Sequence, residues 1–239
     1  MRIRTIFCLI VVLGLGQLAP SLLARRLKRR AAQETPGQSV VLSRMDAAAR
    51  AVRTVSAHLA YTTVTVLVND RSTQNGVMYY HKGRRWPEVL IHFERPVVKV
   101  LLLKRNHAQI YYPAMNQLQE YSLEHHQNLL QQFLLLGFGS QSAELERAYH
   151  LRVVGQEELG GAKTSLLELV PLSPAVLAQL KKVDLWLSDQ TWMPVQQQFF
   201  EASGDYLVAH YSDLKVNQPV PSSVFKIQTK PGVDRVKMN

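Results

Sequence analysis

Few residues in this 239-residue chain have the type and spacing that chemistry needs. Eight histidines (His58, His81, His92, His107, His125, His126, His150 and His210) are raw material for a metal site. None falls in HExxH, His-x-His or another spacing that sets two imidazoles on one ion. His125 and His126 are adjacent, so on a strand they would point to opposite faces. Gly137-Phe-Gly-Ser140 follows a helical pattern and lacks the third glycine and the lysine of a phosphate loop, so it reads as a helix C-cap and turn. A G-x-S-x-G nucleophile elbow is absent. Glu157-Glu158 reads as a solvated strand end. The only cysteine, Cys8, sits in an apolar N-terminal run, so the body has no disulfide, thiolate ligand or cysteine nucleophile. The expectation is therefore no catalytic residue, no metal, no cofactor and no enzyme.

The formal charge of +10 invites a nucleic-acid reading, but its distribution argues against one. Seven of the 28 basic residues and no acidic one lie in the first 30 positions, which leaves 21 basic against 18 acidic groups in the rest. A body so nearly balanced lacks the electrostatic footprint of a nucleic-acid binder. The N-terminal charge has another explanation. Met1 to Arg4 is a short basic region, Ile6 to Leu18 is apolar, and Ser21 to Ala24 is a tolerable cleavage site, together the pattern of a secretory signal over 1–24. Residues 25–39 read as a basic and flexible linker, and 40–239 as a single domain. Export to the periplasm is expected. The run Arg25 to Arg30 resists translocation and keeps an uncleaved inner-membrane anchor as the alternative.

Positions Val41, Leu42, Met45, Ala48, Ala49, Val52 and Val55 recur at three and four, which predicts an amphipathic helix over Val41–Val55. The period then changes to two. Strands are expected at His58–Val68, Val77–Lys82, Val89–Glu94, Val97–Lys104, His107–Tyr112 and Gln117–Leu123, with turns at Asn69-Asp70 and Gln74-Asn75-Gly76. A short helix near Ala143–Tyr149 follows. Further strands are expected at Leu151–Glu157, Thr164–Val170, Val183–Leu187, Val195–Phe200 and Tyr206–Val216. Ser173-Pro174 opens a capped short helix. The fold class is α+β, mainly β: a curved antiparallel half-open barrel of about ten or eleven strands with short helices over its concave face.

One stretch is too greasy for a surface helix. Leu129, Leu130, Phe133, Leu134, Leu135, Leu136 and Phe138 leave almost no polar face, so this helix is either core or the wall of a ligand site. Strand alternation selects Val64, Val66, Val89, Ile91, Phe93, Val100, Leu102 and Ile110 as the drier faces. With Leu130, Phe133, Leu134 and Phe138 from the helix, they are the expected lining of one apolar cavity.

The order of several segments resembles the outer-membrane lipoprotein carrier family (LolA). These are Leu42-Ser-Arg-Met-Asp46, Gly76-Val-Met-Tyr-Tyr-His-Lys82, Phe93-Glu-Arg-Pro96, Ile110 to Gln117, Ser203-Gly-Asp205, Tyr211 to Asn217 and Phe225 with Pro231-Gly-Val233. The likeness runs over about residues 40–236. It implies a monomeric periplasmic shuttle that holds lipoprotein acyl chains in an apolar cavity under a helical lid. It also implies an inner-membrane lipoprotein-releasing ABC transporter as donor and an outer-membrane acceptor where one is present. The family's arginine directly before proline after its second strand, tied to the closed lid, has no strict counterpart, since the turn there reads Gly83-Arg-Arg-Trp-Pro87. Arg85 is the best match for this latch and Arg84 its competitor. A lipid- or lipoprotein-sensing regulator, and a shuttle for another envelope lipid, remain alternatives on the same fold.

Overall fold

The helix predicted from the three-four spacing is α1, Gln38–Ala51, which starts and ends a few residues early. It buries Val41, Met45 and Ala49 on one side, one turn apart as the helical period requires. Its end is fixed by side chains from elsewhere. Lys82 Nζ donates to the Ala49 carbonyl at 2.7 Å, and Asn217 Nδ2 donates to that of Ala51 at 3.2 Å, so two of the carbonyls left open at a helix C-terminus are satisfied. Asn217 Oδ1 also accepts the Arg53 amide at 2.6 Å, which sets the direction in which the chain enters the sheet.

The computed structural model describes residues 37–84, 86–105, 107–122 and 136–238, all within the compact unit Thr35–Asn239. After α1 come β1 (Thr54–Thr65), β2 (Asp70–His81), β3 (Glu88–Arg95), β4 (Lys99–Lys104), β5 (His107–Tyr112) and β6 (Gln117–Ser122). The short helix α2 (Ser142–Glu146) precedes β7 (Tyr149–Leu159) and β8 (Ala162–Pro171). One further helical turn, α3 (Pro174–Leu177), leads into β9 (Leu180–Ser188), β10 (Pro194–Glu201) and β11 (Tyr206–Val216). Last comes β12 (Asp234–Met238). The strands form one curved open sheet in the order β12-β6-β5-β4-β3-β2-β1-β11-β10-β9-β8-β7. Every pairing is antiparallel except β12 on β6. This is the half-open α+β barrel expected from sequence, with one strand more than the upper count.

Besides small shifts of strand ends, one expected turn and one expected cap are absent. The chain reverses at the 3₁₀ turn Val66–Val68, so Gln74, Asn75 and Gly76 are strand residues and not a turn. Gly76 marks an irregularity in the β2–β3 register. At α3, Pro174 opens the helix but Ser173 makes no side-chain capping bond.

The core has three parts. On the concave face Val55, Ala57, Leu59, Met78, Tyr80, Val89, Ile91 and Leu103 pack in one cluster. Beside it, α1 presses Val41 and Met45 onto Leu151, Leu167, Leu169, Val183 and Leu185 of β7 to β9. The third lies on the convex face, where Leu90 and Leu102 are covered by Phe225, Val220, Val224 and Ile227 of the C-terminal segment.

Candidate ligand cavity

Cross-strand partners share a face, so the register decides which side chains meet. Ile91 pairs with Leu101, and Leu101 with Ile110. Phe93 pairs with Lys99 at one end, and Tyr61 with Gln74 on the neighbouring strands. All of these line a concave cavity of about 740 Å³, closed on the other side by Phe199, Leu207 and Tyr211 and by Ala178 to Leu180 after α3. That volume is within the usual range for small-molecule sites, which are mostly apolar with a few placed polar groups. The polar groups here include Gln74, Lys99, Gln179, Gln197, Glu201 and Ser203.

Gln197 is buried with both amide atoms bonded: its Nε2 donates to the Leu136 carbonyl, and its Oε1 accepts the Tyr211 hydroxyl at 2.9 Å. Phe138 stands edge-on to Tyr211 with ring centroids 5.0 Å apart, and its centroid lies 6.3 Å from that of Tyr80. A β-carbon on Gly139, whose φ is +73°, would come within 2.5 Å of the Tyr80 hydroxyl. Residues 136–139 are thereby seated on the concave face. Burial pushes the Tyr80 hydroxyl up to about 12 and raises that of Tyr211 as well, so both stay neutral at ordinary pH.

The expected lining divides. Ile91, Phe93 and Ile110 border the cavity. Val89 and Phe138 are buried in the cluster beside it. Val64 is buried, but it pairs with Arg71 and Tyr206 on the face opposite Leu59 and Tyr61. Val66 is in the exposed turn beyond β1. Val100 and Leu102 point to the convex face and pack beside or against Phe225. The sequence Val100-Leu-Leu-Leu103 is apolar at every position because β4 is covered on both faces, so no alternation was there to choose between them. Leu130, Phe133 and Leu134 lie outside the described residues, as does Arg85. Arg84 is exposed and forms no bond to a helix among the described residues. The basic residue of this region that does hold a helix is Lys82, through Ala49.

Sequence reasoning missed Leu59, Tyr61, Leu101 and the whole β9–β11 wall. In β1 the signal was present: Val55, Ala57 and Leu59 alternate with Ser56, His58 and Ala60, one residue out of step with the face chosen. The opposite wall carried no local signal, because it meets β3 to β5 only through curvature of the sheet.

Antiparallel alternation brings the β1–β2, β3–β4, β5–β6, β8–β9 and β10–β11 turns to one end of the sheet, the rim. Val66 N donates to Asp205 Oδ1 at 2.9 Å, tying two of these turns together. Of eleven large apolar side chains left exposed among the described residues, eight are in the rim turns: Val66, Leu67, Val68, Val97, Val98, Met115, Leu172 and Leu177. Leu67 is 93% exposed. Among the described residues there is no group of three histidine, cysteine or acidic side chains placed to hold a metal, and no helix long and apolar enough to cross a membrane.

No family model and no curated protein matches this chain by sequence. Solved structures do match it in fold. An uncharacterized conserved protein from Thermus thermophilus superposes with a TM-score of 0.53 at 11% identity, over 84% of this chain and 98% of that one. MucB does so with a TM-score of 0.51 at 14% identity, over 82% of this chain and 64% of its own. A LolA superfamily protein from Nitrosomonas europaea superposes more loosely, with a TM-score of 0.40 at 17% identity over 79% of this chain and 97% of that one. At such identities the likeness to the Thermus protein and to MucB establishes a shared curved-sheet fold, and the cavity has to be read from this chain's own residues.

Proposed function

We propose that this protein is a periplasmic carrier that sheathes acyl chains in the concave cavity and moves lipoproteins from the inner to the outer membrane. The observation that carries the reading is the cavity itself, about 740 Å³ and walled by Leu59, Ile91, Phe93, Leu101, Ile110, Phe199 and Leu207. An acyl chain gains about 0.8 kcal/mol for each CH₂ removed from water, so lipidated cargo crosses an aqueous compartment only inside such a sleeve. The exposed apolar turns of the rim favour the same reading, since a carrier must load and unload against an apolar surface. A releasing transporter and an outer-membrane acceptor are the partners that the resemblance implies.

The test is native mass spectrometry of the full chain purified from cell envelopes without detergent exchange, before and after delipidation. Acyl-bearing species at near-stoichiometric occupancy are expected for the wild type, falling at least tenfold in Ile91→Arg, which places a charge in the middle of the cavity wall. Absence of acyl-bearing species, together with no uptake of a long-chain probe by delipidated protein, would sink the carrier reading.

A further inference from the structure

Among the described residues four lysines are partly buried: Lys82, Lys99, Lys104 and Lys182. Three of them have an oxygen partner. Lys82 is on the Ala49 carbonyl, Lys104 lies 2.9 Å from Glu88, and Lys182 lies between Glu168 and Asp184. Lys99 has none among the described residues. Its ammonium sits over the Phe93 ring, 4.9 Å from the centroid, and it lines the cavity at the rim end of β4. The cavity's carboxylate, Glu201, is on β10, with four strands between it and β4, and makes no ion pair with Lys99. An aromatic face attracts a cation but leaves its N–H donors without acceptors. Burial accordingly pulls the Lys99 ammonium below the usual lysine range, and no carboxylate among the described residues restores it.

A partly desolvated cation in a mostly apolar wall is costly unless an anion meets it. It stands where the apolar part of the cavity gives way to the rim, which is where the head of an amphiphile would lie. We infer that the cavity takes amphiphiles with an anionic head, a carboxylate or a phosphate, whose acyl chain runs along Ile91, Leu101 and Ile110 while Lys99 pairs with the head. This rests on the acyl-chain reading and extends it, because the glyceryl thioether of a lipoprotein anchor has no charge at that position. Lys99 is then a specificity residue that separates charged free lipids from neutral ones.

The experiment is displacement of the neutral fluorophore N-phenyl-1-naphthylamine from the delipidated full chain. The competitors are palmitate, 1-palmitoyl lysophosphatidic acid and the neutral glycerol monopalmitate, with acetate and inorganic phosphate as chainless anions. The wild type is expected to bind at least one of the two anionic amphiphiles tenfold or more tighter than the monoglyceride. The more strongly preferred of the two identifies the head as carboxylate or phosphate. Lys99→Met should abolish the preference, and Lys99→Arg should keep it. Lys99→Met should also unfold at the same denaturant concentration as wild type or a higher one, since a partly desolvated cation is removed; lower stability would instead assign the lysine a structural role. An anionic-to-neutral ratio unchanged in Lys99→Met overturns the inference and leaves the carrier reading standing. Displacement by acetate or phosphate alone overturns it in favour of a free-anion site. Failure of all three amphiphiles on the wild type overturns both readings together.

Discussion

Gly76 shows what a single residue decides here. Its resemblance to a family motif gives no physical reason for glycine, whereas the structure does: a β-carbon there would run into the His92 carbonyl oxygen and lie 2.8 Å from the Phe93 Cα. Because Phe93 borders the cavity, Gly76→Ala should shift β3 as well as strain it, costing about 1–3 kcal/mol. Urea unfolding checks this, and a change under about 0.5 kcal/mol, the range of an ordinary surface substitution, would mean that the two strands can part freely. The Tyr149 and Tyr211 hydroxyls form a contrasting pair. Tyr149 Oη is buried without a hydrogen-bond partner among the described residues, while Tyr211 Oη serves Gln197. Tyr149→Phe should therefore be neutral or stabilising by up to about 1 kcal/mol, and Tyr211→Phe should cost about 1–3 kcal/mol by stranding the Gln197 oxygen. Equal effects in the two variants would contradict this account. Neither difference is visible in the sequence, where both tyrosines open or occupy strands of similar pattern.

At the scale of the element, the convex faces of β7 to β9 carry an ion cluster whose pH response has a definite sign. Glu168 accepts from Arg152 at 2.8 Å and from Lys182 at 3.2 Å, and these bonds hold its carboxyl below the usual range. A depressed folded pKa contributes stability above the unfolded value and loses it as pH falls through the folded one. Glu168→Gln should thus destabilise at neutral pH, by no more than about 1 kcal/mol because Arg152 is 57% exposed, and the difference should vanish in acid. Asp184 runs the other way, since burial raises its pKa in spite of Lys182. Denaturation curves from neutral pH down into the acid range check the prediction, and a Glu168→Gln deficit that grows in acid would refute it. The helical elements depend on similar tertiary bonds. α2 is anchored through Asp46, whose carboxylate takes the Ser142 amide at 2.6 Å and its hydroxyl at 2.8 Å. The periodicity that placed α1 at about the right position says nothing of this cap.

For the molecule as a whole, the C-terminal segment is what makes the sheet two-sided. It lays Val220, Val224, Phe225 and Ile227 over Leu90 and Leu102 before β12 pairs with β6. Phe225 is 3% exposed and lies at the centre of this small cluster. Phe225→Ala should cost about 3 kcal/mol, at the lower end for a buried phenylalanine because the site is thinly covered, and should leave the concave cavity's occupancy unchanged. Thermal unfolding and native mass spectrometry of the same variant test the two halves, and loss of bound lipid without loss of stability would show that the convex face controls the cavity.

The sequence by itself determined the alternation of strands and turns, the opening helix, the near-neutral body, the absence of any recognisable catalytic spacing, and three cavity positions, Ile91, Phe93 and Ile110. These are properties of period and composition, which act within a few residues of each other. Only the tertiary structure decided the rest. β4 is apolar on both sides, and its true register on β3 sends Leu101 inward and Leu102 outward, a one-residue shift that local pattern cannot resolve. The exposed Val66, which read as a cavity residue, belongs to a turn because β1 pairs with β2 only through Thr65. The meeting of β3 to β5 with β9 to β11 around one cavity, and the separation of Lys99 from the carboxylates of the described residues, follow from the curvature of a twelve-stranded sheet, which is the sum of many pairings and is written in no single segment.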